Sequence, residues 1–240
     1  MRLTIIETGQ VPALIRDRFP DYPEMFRQML DRVGAGIDCD TVSVVRGEAL
    51  PDPANLDAVL YTGSPAGVYD PEPWIAPLSD FIRAAAAAKT QQVGICFGHQ
   101  IMGEALGGKT TKSDKGWGVG QHTYDVIQCP DWSGSPCPPT LSVAVSHQDQ
   151  VVLCPPSASV IARSDFTPLA ALDYRDFPAI SFQCHPEFEP DYSAALYTAR
   201  RGSSLGEAMA DAAIASLSGA SDRRLLASWI ASFLTRHAGS

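Results

Sequence analysis

Val93-Gly94-Ile95-Cys96-Phe97-Gly98-His99-Gln100 is an apolar run that passes, with no spacer, into a segment of helical composition. The run Val93–Cys96 has the length and character of a buried strand, and the helix is expected to continue through Leu106 and stop at Gly107-Gly108. Upstream the same alternation repeats: Leu3–Ile6, Tyr22–Val33, Thr41–Val45, Ala58–Tyr61, Trp74–Ala88 and then Val93–Cys96. That order reads as βαβαβ. Continuous apolar strands separated by helix-length crossovers imply a parallel sheet covered on both faces, with right-handed connections. The expected fold is therefore α/β, a three-layer doubly wound, mostly parallel sheet, in which ligands sit at the carboxyl ends of the strands.

Downstream the texture changes. His122–Ile127, Leu141–Ser146, Val151–Leu153, Val160–Arg163, Leu169–Tyr174 and Ile180–Cys184 are closely spaced alternating strands, expected as antiparallel additions at a sheet edge. Cys129–Thr140, rich in Pro, Gly and Ser, reads as a loop. Beyond His185 the chain returns to helix. Asp222–Arg236 carries an apolar stripe of Leu225, Leu226, Trp229, Ile230, Phe233 and Leu234, with Ser221 or Asp222 as its cap. A weaker stripe of Leu205, Met209, Ala212, Ala213 and Leu217 suits either core packing or a subunit contact. The expectation is one domain over 1–240, with a core of 1–190 and a helical extension of 191–240.

Composition narrows the function classes. In 240 residues, 45% are hydrophobic and 19% charged, as in an ordinary globular chain. Eighteen basic against twenty-seven acidic side chains give a net charge of −9, which repels a polyphosphate backbone, so nucleic acid is not an expected partner. The start reaches Glu7 after a short apolar stretch, and no run approaches the roughly 18 apolar residues of a membrane span. A soluble protein is expected. Six cysteines, at 39, 96, 129, 137, 154 and 184, form neither a CxxC pair nor a dense framework, so reduced thiols in a cytoplasm are expected.

Cys96 falls on the turn between the strand and its helix. There a nucleophile is held clear of the sheet, Gly94 and Gly98 permit close approach, and the helix N-terminus favours thiolate. The N–H of Phe97, unpaired at that terminus, is placed to stabilise an oxyanion. The four fixed positions of Gly-x-Cys-x-Gly-x-Gln arise by chance about twice in a thousand chains of this composition. A thiol nucleophile needs a base. His185 ends the last apolar strand in Ile180-Ser181-Phe182-Gln183-Cys184-His185-Pro186-Glu187, where Pro186 blocks strand continuation and Glu187 is near enough to orient the imidazole. Cys96, His185 and Glu187 are the candidate triad.

These two motifs together resemble the class I glutamine amidotransferases, over roughly residues 1–190. The resemblance includes Tyr61-Thr62-Gly63-Ser64-Pro65, where the family places its second oxyanion-hole amide and where many synthetase-linked members carry Gly-Gly-Pro. It also includes Ser146-His147-Gln148-Asp149, similar to a stretch in the amidotransferase domain of GMP synthetases. The resemblance implies a flavodoxin-like fold and an oxyanion hole formed by the Gly63 and Phe97 N–H groups. It also implies that Gln100 and the backbone near Ser146 and His147 hold the substrate, glutamine or a γ-glutamyl compound. Two activities follow from it: release of ammonia to a separate synthetase subunit, or hydrolysis of γ-glutamyl peptides and amides without a partner. A third reading keeps the scaffold as a catalytically silent binding or regulatory protein. ATP chemistry is expected on another polypeptide, the separate synthetase subunit.

No cofactor and no metal are expected. His99, His147 and Cys184 lack structural-zinc spacing. His99 is expected on the first helical turn beside Cys96. Lys115–Gly120 has dinucleotide-like glycine spacing but leads into a strand, so it is read as a turn beside the site's mouth.

Overall fold

The computed structural model describes residues 1–134 and 137–236. The elements run β1 (Arg2–Glu7), α1 (Tyr22–Arg32), β2 (Asp38–Ser43), β3 (Ala58–Tyr61), α2 (Ile75–Ala88), β4 (Gln91–Ile95) and α3 (Phe97–Ala105). They continue with β5 (Lys109–Lys112), β6 (Gly118–Val126), β7 (Thr140–His147), β8 (Asp149–Leu153), β9 (Ala158–Arg163), β10 (Ala171–Tyr174) and β11 (Ala179–Phe182). Helices α4 (Pro190–Arg200), α5 (Glu207–Ser216) and α6 (Arg223–Arg236) complete the described chain.

Nine strands form one sheet in the order β2-β1-β3-β4-β11-β10-β9-β6-β7. The pairs from β2 to β11 are parallel and those from β11 to β7 antiparallel. The period of two along each parallel strand divides the side chains between two cores. Leu3 and Ile5, Ala58 and Leu60, and Val93 and Ile95 face α1 and α6, whereas Ile6, Val59 and Tyr61 face α2 and α3. Both faces are therefore apolar, as a sheet covered on both sides requires.

Two expectations about the later strands are corrected. Ile180–Cys184 does not join an antiparallel edge: β11 lies inside the sheet, parallel to β4 and antiparallel to β10. It is the seam between the two halves, and its buried run follows from having a neighbour on each side. Val151–Leu153 also leaves the main sheet, because among the described residues β8 pairs only with β5, in a separate two-stranded ribbon.

The helices follow their local signals. Asp21 caps α1 by accepting the Glu24 N–H at 2.9 Å, Pro23 stands in its first turn, and Leu106 and Gly107 (φ 94°) end α3. In α6 the expected stripe is buried, with Leu225 half-buried. The Asp222 carboxylate, however, accepts the Ser142 N–H at 2.8 Å and ties the helix start to β7. The stripe expected around α5 is rotated: Leu205, Ala210 and Ala213 are buried against Tyr197, Trp117 and Val119, and Met209 and Ala212 are exposed.

The thiols are not all reduced. Cys129 and Cys137 are joined by a disulfide, their Cα atoms 6.0 Å apart. The expected Cys129–Thr140 loop includes residues 135 and 136, and the expected C-terminal extension includes 237–240, all outside the described residues. Among the described residues no helix is long and apolar enough to cross a membrane.

Candidate active site

Cys96 stands at the carboxyl end of β4, where the chain leaves the sheet. Its backbone has φ 54° and ψ −102°, a conformation that costs an L-residue energy and that persists here because both flanks are fixed. The Cys96 N–H donates to the Phe182 carbonyl of β11 at 2.8 Å, and its carbonyl accepts the Gln100 N–H of α3 at 3.0 Å. The elbow also needs glycine on either side. A Cβ on Gly94 would lie 2.6 Å from the Gly98 carbonyl oxygen, and one on Gly98 would collide with Tyr61 of β3. The strand-to-helix reading of this segment thus corresponds to a real close approach of backbones.

His185 and Glu187 follow β11, the strand beside β4, and that adjacency carries them to the elbow. The His185 N–H donates to the Ala144 carbonyl at 2.9 Å, and Nδ1 lies 2.7 Å from Glu187 Oε1. The imidazole is stacked on Phe188 with ring centres 3.9 Å apart and planes within 4°. Burial would lower the His185 pKa, but the Glu187 carboxylate and the Cys96 sulfur, both beside the ring and hydrogen-bonded to it, raise it to about 10. A protonated imidazole next to Sγ is placed to give its proton to a leaving group at that position. Gln183 Nε2 donates to the same sulfur at 3.7 Å. Burial pushes the neighbouring Cys184 thiol well up, so it stays neutral.

Gly63, after β3, closes the arrangement. A Cβ there would sit 3.0 Å from His185 Cε1 and 3.8 Å from Cys96 Cβ, so the backbone of Gly63 faces both side chains. The peptide preceding it is held: the Thr62 carbonyl accepts Thr8 Oγ1 at 3.0 Å and the Gly98 N–H at 3.1 Å. In a trans peptide the Gly63 N–H then points the opposite way. Thr8 Oγ1 also donates to the Gly63 carbonyl, at 3.2 Å. Phe97 is the first residue of α3, so its N–H has no acceptor within the helix.

Cys96 opens into a cavity of about 540 Å³ whose lining includes Ser64, Tyr69, Gln100, Lys112, Trp117, Ser146, His147, Asp149 and Arg200. The three expected substrate-binding residues are all there. Gln100 uses its Nε2 inward, on the Asp149 carbonyl at 2.8 Å and Gln183 Oε1 at 3.3 Å. Ser146 Oγ accepts from Arg200 Nη1 at 2.7 Å. His147 Nδ1 lies 3.0 Å from the Asp149 carbonyl, and burial drives its pKa down to about 3, so the ring is neutral and Nδ1 is the donor. Lys115–Gly120 borders this cavity through Trp117 and leads into β6, as its composition suggested.

His99 lies on α3, wholly buried, with Nδ1 2.8 Å from Ser181 Oγ and its pKa lowered to about 3 by burial. Among the described residues no group of three or more His, Cys, Asp or Glu is arranged to hold a metal. A larger cavity of about 1090 Å³ lies at the opposite end of the sheet, lined by Met1, Asp57, Lys89, Trp132 and Ala179 among others. It brings no histidine to its one cysteine, Cys129, which is in the disulfide, so the chemistry is sought at Cys96.

Several participants carry no sequence signal of their own. Thr8 reaches the site only through sheet order and Arg200 only through the docking of α4, whereas Trp117 lies in the glycine-rich stretch expected beside the site's mouth. Phe188 and Gln183, by contrast, adjoin the His185 motif and were legible as neighbours.

Comparison with known proteins identifies the family and the fold. Residues 19–200 match the family described as glutamine amidotransferase class-I. Gamma-glutamyl peptidase 5 of Arabidopsis thaliana is 29% identical over 163 residues, 65% of this chain and 64% of that protein. The glutamine-hydrolysing GMP synthase of Desulfotalea psychrophila is 32% identical over 134 residues, covering 55% of this chain and 25% of the synthase. The crystal structure of a glutamine amidotransferase from Thermotoga maritima superposes with a TM-score of 0.74 over 98% of both chains, at 18% identity, which supports the fold. With the family match spanning most of its length, the chain belongs to the class I glutamine amidotransferases.

Proposed function

We propose that this chain hydrolyses the γ-amide bond of glutamine or of a γ-glutamyl compound through a thioester on Cys96. The observation that carries this reading is the meeting of Cys96, His185 and the Gly63 backbone at one point, with Glu187 holding the far side of the imidazole. The Cys96 sulfur adds to the γ-carbonyl carbon, and the Gly63 and Phe97 N–H groups receive the oxygen as it becomes negative. His185 gives its proton to the departing nitrogen, the C–N bond breaks, and ammonia or an amine leaves. Neutral His185 then takes a proton from water, the hydroxide adds to the thioester, and collapse releases the γ-carboxylate and the sulfur. Glu187 holds the ring's orientation throughout.

A cavity of about 540 Å³ leaves room beyond the γ-glutamyl group, which favours a leaving amine larger than ammonia. The matched Arabidopsis protein is named a gamma-glutamyl peptidase, in keeping with that preference. The similarity to GMP synthase supports a second reading, in which glutamine is the substrate and ammonia passes to a synthetase subunit. Arg200 and Ser204 line the cavity together with Cys96, so we read the 1–190 core and the following helices as one domain. Cys96 is a free thiol, as a nucleophile must be, and on that ground we place the chain in the cytoplasm, although the Cys129–Cys137 disulfide argues for a more oxidising compartment.

The test is labelling. An electrophilic glutamine analogue should modify Cys96 and be blocked by glutamine or γ-glutamyl peptides, the better protector naming the substrate. A folded protein that is not labelled would instead favour a binding role.

A further inference from the structure

We propose that Arg200 is the specificity residue of this cavity, receiving a carboxylate of the substrate while Cys96 attacks the γ-carbonyl. The inference rests on the reading that the cavity takes γ-glutamyl compounds. Arg200 ends α4 and lines the same cavity as Cys96. Nη1 donates to Ser146 Oγ at 2.7 Å, and the guanidinium carbon lies 5.2 Å from the centre of the Trp117 ring. One edge and one face are thus engaged by neutral groups, and the planar fork is held still with donors to spare.

Its charge is not answered within the protein. Among the described residues no carboxylate pairs with Arg200, whereas adjacent Arg201 pairs with Asp211 at 2.7 Å and Arg223 with Glu189 at 2.5 Å. The two acids that line the cavity are not ion-paired with Arg200 and accept from neutral donors instead: Asp149 Oδ1 from Tyr69 OH at 3.0 Å and Asp70 Oδ2 from the Gly67 N–H at 2.8 Å. A fixed guanidinium with free donors matches a carboxylate in bidentate geometry, which discriminates strongly against an uncharged amide at the same place. Every γ-glutamyl compound carries an α-carboxylate, and γ-glutamyl peptides carry a second one at the C-terminus of the leaving amine. Both sources present the same chemistry.

The experiment measures kcat/KM on γ-glutamylglycine, on its α-carboxamide analogue and on γ-glutamylglycinamide, with wild type, Arg200→Met and Arg200→Lys. In wild type, amidating the carboxylate that Arg200 receives should cost about 10- to 100-fold. Sensitivity to the α-amide identifies the glutamyl end, and sensitivity to the glycinamide the leaving group. Arg200→Met should lose the same factor on the parent substrate and show no further loss on amidation, and Arg200→Lys should recover part of it. Equal turnover of acids and amides by wild type overturns the proposal without needing any variant to fold. So does an amidation penalty that persists undiminished in Arg200→Met.

If wild type turns over none of these compounds, the hydrolytic reading fails and calorimetric titration decides this one. Binding of γ-glutamylglycine that is weakened by amidation and by Arg200→Met upholds the role of Arg200. Absence of binding overturns it.

Discussion

Replacing Gly63 by alanine adds one methyl group at the point where the reacting groups meet. The new carbon would sit 3.0 Å from His185 Cε1, where ordinary carbon contacts lie at about 3.5–4.0 Å. Relief requires a shift of a few tenths of an ångström, and the imidazole has little freedom to give it, being stacked on Phe188 and bonded to Glu187. A misplacement of about 1 Å costs roughly 10²-fold in rate. Gly63 is not in the left-handed region, so alanine carries no backbone penalty, and overpacking should lower stability by about 1–3 kcal/mol. The assay is steady-state hydrolysis of γ-glutamyl-p-nitroanilide beside a thermal melt, with Gly206→Ala as control because a methyl there meets nothing within 4 Å. At a fraction of that misplacement, a folded Gly63→Ala protein with kcat reduced roughly 3- to 10-fold is expected. Wild-type kcat in that protein would refute the placement of Gly63 against the base.

Two further outcomes follow from the buried histidines. Glu187→Gln removes a charge-assisted hydrogen bond worth about 1.5–3 kcal/mol, so kcat/KM should drop roughly 10- to 150-fold. Because the carboxylate holds the His185 pKa up, the alkaline limb of the pH–rate profile should also move to lower pH, and an unmoved limb would count against Glu187. His99 and His147 are held near 3, below the ordinary value of 6.5, so between those values the unfolded chain binds more protons. Their contribution to stability is therefore complete above about pH 6.5 and is lost as pH falls, by up to about 1.4 kcal/mol per unit for each. His99→Gln should flatten the dependence of the urea midpoint on pH between 4 and 6.5. An unchanged slope would show that His99 is not buried neutral.

Much of the parallel half was legible because each strand there obeys a purely local rule. Ala58–Tyr61 is β3 to the residue, since four consecutive apolar positions suit a strand buried on both faces and nothing else in that stretch competes. The elbow was legible for a related reason: close backbone approach leaves glycine at 94 and 98, and the nucleophile between them has few alternative uses. What escaped depends on partners far away in sequence. Lys109–Lys112 carries no apolar run and becomes a strand only because β8 pairs with it. Met209 and Ala210 differ by a 100° turn of one helix, and sequence alone does not say which way α5 docks. Helix α4 begins at Pro190, a good first-turn residue, yet the value of Arg200 at its other end appears only when Trp117 and Ser146 are brought to it. The Cys129–Cys137 bridge likewise needs the loop's fold, because spacing alone admits paired and free thiols equally.

The hydrolysis proposed for this chain passes through an acyl group on Cys96. Rapid mixing with a γ-glutamyl substrate, acid quenching and intact-mass measurement of the protein and its peptides test that directly. The account predicts a γ-glutamyl adduct on the peptide that contains Cys96, formed before steady state, and neither adduct nor turnover in Cys96→Ala. Turnover by Cys96→Ala at the wild-type rate, or an adduct on another cysteine alone, would contradict it.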